Sequence, residues 1–468
     1  MIIYFVVVLV LYMLAMILIG FFAMNRVKSV ADLHVGGMNV GGVFVALSFF
    51  TTYFSSVVFI GATALGWKYG LPVVWKDVFV VLIGTALAFI LLGPRIACLS
   101  RRLGFITISE FVEKRYGSRL AGLVTSVVMF VGLLIYNVSA LIGTARAVEV
   151  VASIDYLYAL LLTGIVTAIY TAVGGYIAQM WTQVVQAIFM IFMAIAICVV
   201  SLLRVGGLDT LSTQLRAIDP SLAGWPYKDA LPLFTLYLSL GFLGWGNPAL
   251  LLRFVSVRNR ISLGTATVIA TAISAVFTLS LDLASATSRI IVGNNVAPDY
   301  SFVYLVQNIM PKGFDALFVV AVLSASMSTI SAILGVMTQN IRDFIKNFVS
   351  LDHGKEIALY RIATIAVAVS SIALATKPPE MIIVLFGVTT SILAGVLIGP
   401  IIYGLYSKRV SPIAIIVTMI VSFALAIGVS AYGQFKFPWT YYSFIPTILT
   451  SITLPPIITI FTEAKHPK

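Results

Sequence analysis

The stretch SASMSTISAILG, residues 324 to 335, places Ser324, Ser326, Ser328, Thr329 and Ser331 inside an apolar run from Phe314 to Met337. Read as a helix, Ala325, Ser328, Thr329 and Ala332 follow the i, i+3, i+4, i+7 spacing and share one face that is small and oxygen-bearing. A hydroxyl turned to hydrocarbon gains nothing, so these groups satisfy their own helix, bond a neighbour or line a polar site. The Ser328 and Thr329 hydroxyls with the Ala325 carbonyl offer three oxygens to a small hard cation, a class of ion that takes oxygen ligands and shuns sulfur. Neutral oxygens suit an ion that must be captured on one side and released on the other. Small residues at a packed helix interface would give the same pattern, and on this helix alone the two readings stand level.

The remaining ligands of such a site would come from carbonyls freed where another helix is broken. In VALSFFTTYFSSVVFIG the residues Thr51, Thr52, Ser55 and Ser56 fall mid-segment; in SLGFLGWGNPALL, Gly241, Gly244, Gly246, Asn247 and Pro248 do. Glycine loosens a helix and Pro248 removes a donor, which should free carbonyls near Gly244. Matched interruptions in two halves point to a secondary transporter with inverted repeats; ordinary kinks are the alternative. Lys76 and Asp77 lie inside another apolar segment, where an ionisable residue is a functional candidate. Being adjacent, they should point apart and pair poorly, each snorkelling to water at an outer helix end. Asp282 is expected to pair with Arg289, two turns on.

These residues need a membrane scaffold to position them. The chain has 468 residues, is 60% hydrophobic and 10% charged, with a mean hydropathy of +1.08. Those values exclude a water-soluble globular protein and predict an all-α polytopic membrane protein. About 13 apolar segments are each long enough to span. They divide into a leading helix at 1–24, five-helix blocks at 41–203 and 231–406, and two trailing helices at 411–462. The first segment lacks a preceding basic residue and a clear cleavage site, and is read as a retained helix. With the N-terminus outside and the C-terminus cytoplasmic, 19 of the 29 Lys and Arg fall on the cytoplasmic side, Arg26, Lys28, Arg253, Lys408, Lys465 and Lys468 among them. The net charge of +12 is thereby assigned to lipid-facing loops and not to nucleic acid. Cys98 and Cys198, in different segments, suggest neither a disulfide nor a metal cluster. An amphipathic helix is expected from about Ser109, with Ile108, Phe111 and Val112 on its apolar face.

Six stretches in order, SFFTTYFSSVVFIGATALGW, TISEFVEKRYGSR, YTAVGGYIAQMWTQVVQ, GWGNPALLLRF, SASMSTISAILGVMTQNIRDFIK and ILAGVLIGPIIYGLYSKR, resemble the sodium/solute symporter family over nearly the whole chain. The resemblance implies the leucine-transporter type of fold, with inverted five-helix repeats and broken first and sixth core helices. It implies a coupling sodium ion held by the carbonyls of Thr51, Phe54 and Ala325 and the hydroxyls of Ser328 and Thr329. It places solute contacts at Ser55, Val58, Lys76, Asp77 and Gly246. Many relatives carry a carboxylate where this chain has Gln183, and Ser331 is followed by Ala332 and not by a second hydroxyl, so one coupling ion is expected. Val57, Val58 and Leu243 stand where sugar-carrying relatives are polar or aromatic, which argues against a sugar. The pantothenate and monocarboxylate branch is the nearest in look.

The resulting expectation is a sodium-coupled symporter of the plasma membrane, importing a small organic carboxylate by alternating access. The alternative is a sodium- or proton-coupled carrier of a proline-like amino acid or an amine. A membrane enzyme is disfavoured because His34, His353 and His466 fall in loops or tail and no acid/base pair clusters within the spans. A sensor would be expected to add a soluble domain, and about six residues follow the last segment. Solute, sodium and bilayer are the expected partners, and a single chain can serve as the functional unit.

Overall fold

Lipid offers no hydrogen bonds, so an apolar chain has to satisfy its backbone within helices, and interruptions survive only where protein groups meet the freed atoms. The computed structural model describes residues 2–24, 34–225, 229–346, 353–378, 382–407 and 409–462, and these are helical or in short links. Arg26, Lys28, Lys408, Lys465, Lys468 and His466 lie outside the described residues.

In chain order the helices are α1 (Ile2–Met24), α2 (Gly42–Tyr53), α3 (Val57–Tyr69), α4 (Leu71–Leu103), α5 (Ile108–Tyr116) and α6 (Arg119–Ala152). Then come α7 (Tyr156–Ile169), α8 (Gly175–Val205), α9 (Leu208–Ile218), α10 (Ala230–Gly246), α11 (Pro248–Ser256) and α12 (Arg260–Ile291). The remainder are α13 (Ser301–Ile309), α14 (Phe314–Ile345), α15 (Gly354–Ala375), α16 (Ile382–Tyr406), α17 (Pro412–Tyr432) and α18 (Trp439–Phe461). Among the described residues nine helices are long and apolar enough to span, eleven if each bent pair counts as one; α7 and the apolar part of α1 are shorter. The bent pairs are α2/α3, at 53°, and α10/α11, at 41°. Both are the interruptions expected from sequence.

Each bend has a local cause. At Phe54 the backbone turns extended (φ −101°, ψ 95°), and Ser55 Oγ accepts from the Val57 N–H (3.2 Å) while Ser56 Oγ donates to the Ala140 carbonyl (2.7 Å). At the second bend Asn247 caps α11, its Oδ1 accepting from the Ala249 N–H (3.0 Å), with Pro248 in the position where a missing N–H costs nothing. Gly246 is required there because a Cβ would strike the Leu393 carbonyl of α16.

Helix α14 is buried along nearly its whole length and α5 buries Ile108, Phe111 and Val112, as its pattern predicts. One end of the bundle is rich in arginine. There Arg101 donates to the Val257 and Arg258 carbonyls (2.6 Å each), and Arg115 to those of Gly404 (2.5 Å) and Ser407 (3.0 Å). These cations occupy the carbonyl-rich ends of α11 and α16, where helix dipoles favour positive charge. A backbone ladder, Val40 N–H to Ser256 O (3.0 Å) and Arg258 N–H to Val40 O (2.9 Å), ties the start of α2 to the end of α11. At the opposite end Arg146 of α6 pairs with Asp299, which also accepts from the Ile382 N–H (3.0 Å) at the start of α16.

Two placements differ from expectation. Arg253 is not in a loop: it is 1% exposed. His34 is also buried, with no hydrogen-bond partner on either ring nitrogen, and its ring meets Tyr360 edge-on. It sits in the link between α1 and α2, outside the spans. Burial first, and then the charges of Arg342 and Lys346, push the His34 imidazole down to about 3. An unfolded chain would take up this proton below its ordinary value while the folded one does not, so stability falls as pH drops. Between pH 7 and pH 5 this one group should cost about 2 kcal/mol. The loss of melting temperature over that interval should therefore be smaller in His34→Gln than in the wild type; equal losses would refute the assignment.

Candidate functional site

Stopping α2 at Tyr53 leaves its last carbonyls without the N–H groups that would have followed one turn on. The Phe50 carbonyl is still taken, by the Phe54 N–H (3.0 Å). The next three are met from outside the helix. Ser328 Oγ donates to the Thr51 carbonyl (2.8 Å), Thr329 Oγ1 lies within bonding distance of the Thr51 (3.3 Å) and Thr52 (3.2 Å) carbonyls, and the Tyr136 hydroxyl reaches that of Tyr53 (3.4 Å). The same two α14 hydroxyls also face the Ala325 carbonyl, at 2.9 and 3.1 Å. Each hydroxyl has one proton, so two protons face three carbonyls and lone pairs are left over.

The oxygens of Thr51, Ala325, Ser328 and Thr329 thus converge in one buried cluster with no charged group in it. Oxygen ligands in surplus of donors, with no sulfur and no carboxylate, fit a small hard monovalent cation. Phe54 stands at the break itself, three residues beyond Thr51. The other hydroxyls of the stretch have separate tasks. Ser324 bonds Tyr12 of α1 (2.9 Å), Ser326 the Ala140 carbonyl of α6 (3.1 Å), and Ser331 the Ser328 carbonyl of its own helix (3.1 Å).

Gln183 of α8 braces the cluster. Its Oε1 accepts from Ser48 Oγ (2.5 Å), and its Nε2 donates to the Ser328 carbonyl (2.9 Å) and Thr52 Oγ1 (3.2 Å). A carboxylate could not donate to the Ser328 carbonyl. The amide therefore holds α2 and α14 together without adding charge, a role that its sequence position did not disclose.

A second feature is a cavity of about 30 Å³ walled by both broken spans. Phe54, Val57 and Val58 line it from the first, Leu240 and Leu243 from the second, and Lys76 of α4 supplies the one charged side chain among the lining residues. Its other walls are apolar or aromatic but for Thr278. Lys76 and Asp77 do not diverge to water: they are 3% and 8% exposed, and Lys76 Nζ lies 2.8 Å from Asp77 Oδ1. Nor does Asp282 pair with Arg289. Asp282 Oδ2 lies 2.7 Å from Lys76 Nζ, while Arg289 stacks on Trp67. The flexible lysine stem reverses the expectation from adjacency, because Nζ can fold back to a neighbour whose Cβ points elsewhere. Of the residues expected to touch solute, Val58 and Lys76 line the cavity; Ser55 is buried at the break, Asp77 stands behind Lys76, and Gly246 faces the α16 backbone.

A helical bundle with two interrupted spans, an all-oxygen cluster at one break and a cavity between both defines a secondary transporter. Residues 33–422 match the model of the sodium:solute symporter family, and the chain belongs to that family. The sodium/pantothenate symporter of Escherichia coli strain K12 is 28% identical over 434 residues, 88% of each chain. The high-affinity proline transporter PutP of Bacillus subtilis strain 168 is 27% identical over 468 residues, 96% of each. In fold, the chain resembles a substrate-bound, outward-open Na+-coupled sialic acid symporter, with a TM-score of 0.84 at 17% identity over 99% of both chains. It also resembles Mhp1, a nucleobase-cation-symport-1 family transporter, with a TM-score of 0.61 at 14% identity over 93% and 95% of the two. The protein is accordingly a symporter of sodium and a solute and not an enzyme.

Replacing Gln183 by Leu leaves the Ser328 carbonyl and the Ser48 hydroxyl without their partner in a buried site. Each such group costs about 1–3 kcal/mol, so Gln183→Leu should lower the melting temperature measurably, and Gln183→Glu should not restore it.

Proposed function

We propose that the chain imports a small organic carboxylate, such as pantothenate or a monocarboxylate, across the plasma membrane by sodium-coupled alternating access. The observation that carries this reading is Lys76. It is a buried ammonium at the wall of a largely apolar cavity, already paired with carboxylates that an incoming carboxylate can replace. The pantothenate symporters among its relatives support the same class of solute. At about 30 Å³ the cavity is far below the ~300–1,000 Å³ of ligand pockets, so admission requires the bundle to part.

In this proposal Thr51, Phe54, Ala325, Ser328 and Thr329 hold the sodium ion, and it clamps α14 against the break in α2. Phe54, Val57 and Val58 follow directly as cavity wall, so the ion's preference for one arrangement of the break becomes a preference of the solute site. Coupling is then the difference in ion affinity between states. The blocks 41–203 and 231–406 act as inverted repeats, with 411–462 trailing. The arginine-rich end faces the cytoplasm, with the N-terminus outside, in keeping with the charge bias of inner loops.

A second reading, a proline-like amino acid, has its own support. The proline transporters of Bacillus subtilis align over nearly the whole chain, and Asp77 Oδ2 completes no hydrogen bond and could receive an amine.

In proteoliposomes, pantothenate, lactate or pyruvate uptake should require an inward sodium gradient at fixed pH; uptake of proline alone would establish the second reading. Ser328→Ala with Thr329→Ala should weaken sodium activation at least ~10-fold, about 1.4 kcal/mol, with the protein still inserted. Unchanged sodium dependence would remove the ion site. Lys76→Gln should raise KM for a carboxylate by ~10-fold or more, while leaving the sodium-induced shift in melting temperature in place.

A further inference from the structure

Near the arginine-rich end lies a second, smaller cavity of about 10 Å³, room for about one water-sized sphere. Arg253 lines it from α11, Tyr176 and Gln179 from α8, Gln339 from α14, Tyr360 from α15, and His34 from the link before α2. All six are at least nine-tenths buried.

Their hydrogen bonding is incomplete. Arg253 donates through Nη2 to Thr52 Oγ1 (3.1 Å), and its Nη1 lies 3.6 Å from Met180 Sδ, while its guanidinium stacks on the Tyr176 ring at 4.8 Å. Its Nε has no partner, nor do the Tyr176 and Tyr360 hydroxyls or either ring nitrogen of His34. Gln179 and Gln339 are engaged through their amide nitrogens, with the Ser331 and His34 carbonyls (2.9 and 3.1 Å), and Gln339 Oε1 has no partner. Among the described residues no carboxylate lies within ion-pair distance of Arg253; the acids at this end, Glu110, Asp343 and Glu356, are gathered around Arg342. A buried guanidinium without a counter-charge is costly, and buried donors without acceptors add to that cost. An anion relieves both.

We propose that this cavity is a binding site for a small monovalent anion, of halide or formate size, coordinated by Arg253 with the hydroxyls of Tyr176 and Tyr360 and an N–H of His34. The anion could be free halide from solution or the carboxylate end of a departing solute; the chemistry of the site is the same. Bound there, it offsets the positive charge that Arg253 places beside Thr52, whose carbonyl belongs to the oxygen cluster of α2 and α14. The proposal does not depend on which solute is carried, nor on that cluster holding sodium.

The test uses the full-length protein in detergent without sodium, in a gluconate buffer of constant ionic strength, titrated with chloride, bromide, formate or sulfate. Chloride and bromide should raise the wild-type melting temperature saturably, by about 2–4 °C at a hundredfold excess over Kd, and sulfate should not. Arg253→Gln should abolish the rise. Tyr360→Phe, which removes a hydroxyl without a partner and so should leave the fold intact, should shift half-saturation upward ~10-fold. A response to formate and to the transported acid but not to halide assigns the site to the solute's carboxylate. No saturable response to any monovalent anion in the wild type, or the same response in Arg253→Gln, overturns the proposal. Should Arg253→Gln fail to fold, an unchanged half-saturation in Tyr360→Phe overturns it equally.

Discussion

The structure depends on how three orphaned carbonyls are satisfied where no water competes. Ending α2 at Tyr53 exposes the carbonyls of Thr51, Thr52 and Tyr53, and an unmet carbonyl inside a bilayer costs several kcal/mol. The chain answers with hydroxyls from α14 and α6, which lie far away in sequence. Because these hydroxyls bring fewer protons than there are lone pairs, the break is held but not saturated. A permanently satisfied break would be a structural kink. This one keeps unshared lone pairs, and the next residues line the cavity between the two broken spans.

Charge is distributed to complement that neutral centre. Lys76 between Asp77 and Asp282 lies to one side of the break, and Arg253 lies to the other, reaching Thr52. Neither enters the oxygen cluster, so an ion there would meet dipoles and not a fixed counter-charge. That favours release as well as capture. Gln183 fits the same logic, since an amide at its position ties two helices together and leaves the net charge unchanged.

Features set by local pattern were legible in the sequence. The i, i+3, i+4 face of Ala325, Ser328 and Thr329, the interruptions near Phe54 and Asn247, and the amphipathic α5 follow from spacing and from backbone chemistry. The division of labour among the five hydroxyls was not, because α14 is enclosed on every side and periodicity does not say which neighbour each side faces. The partner of Asp282 lies some two hundred residues away on α4, a tertiary fact to which Arg289, two turns along the same helix, was a misleading guide. Arg253 and His34 look like loop residues when counted by type, since burial of a polar side chain leaves no mark on hydropathy. For Gly246, composition showed a loosened helix but not the carbonyl of Leu393 pressed against it.

At the arginine-rich end, Arg101 and Arg115 grip main-chain oxygens and not acidic side chains. A main-chain acceptor is present whatever residue occupies the position, so mutational drift at Arg258 or Ser407 leaves these ties chemically available. Descendants of this chain can rewrite that rim, and with it whatever the rim meets in the cell, while the ends of α11 and α16 stay fastened.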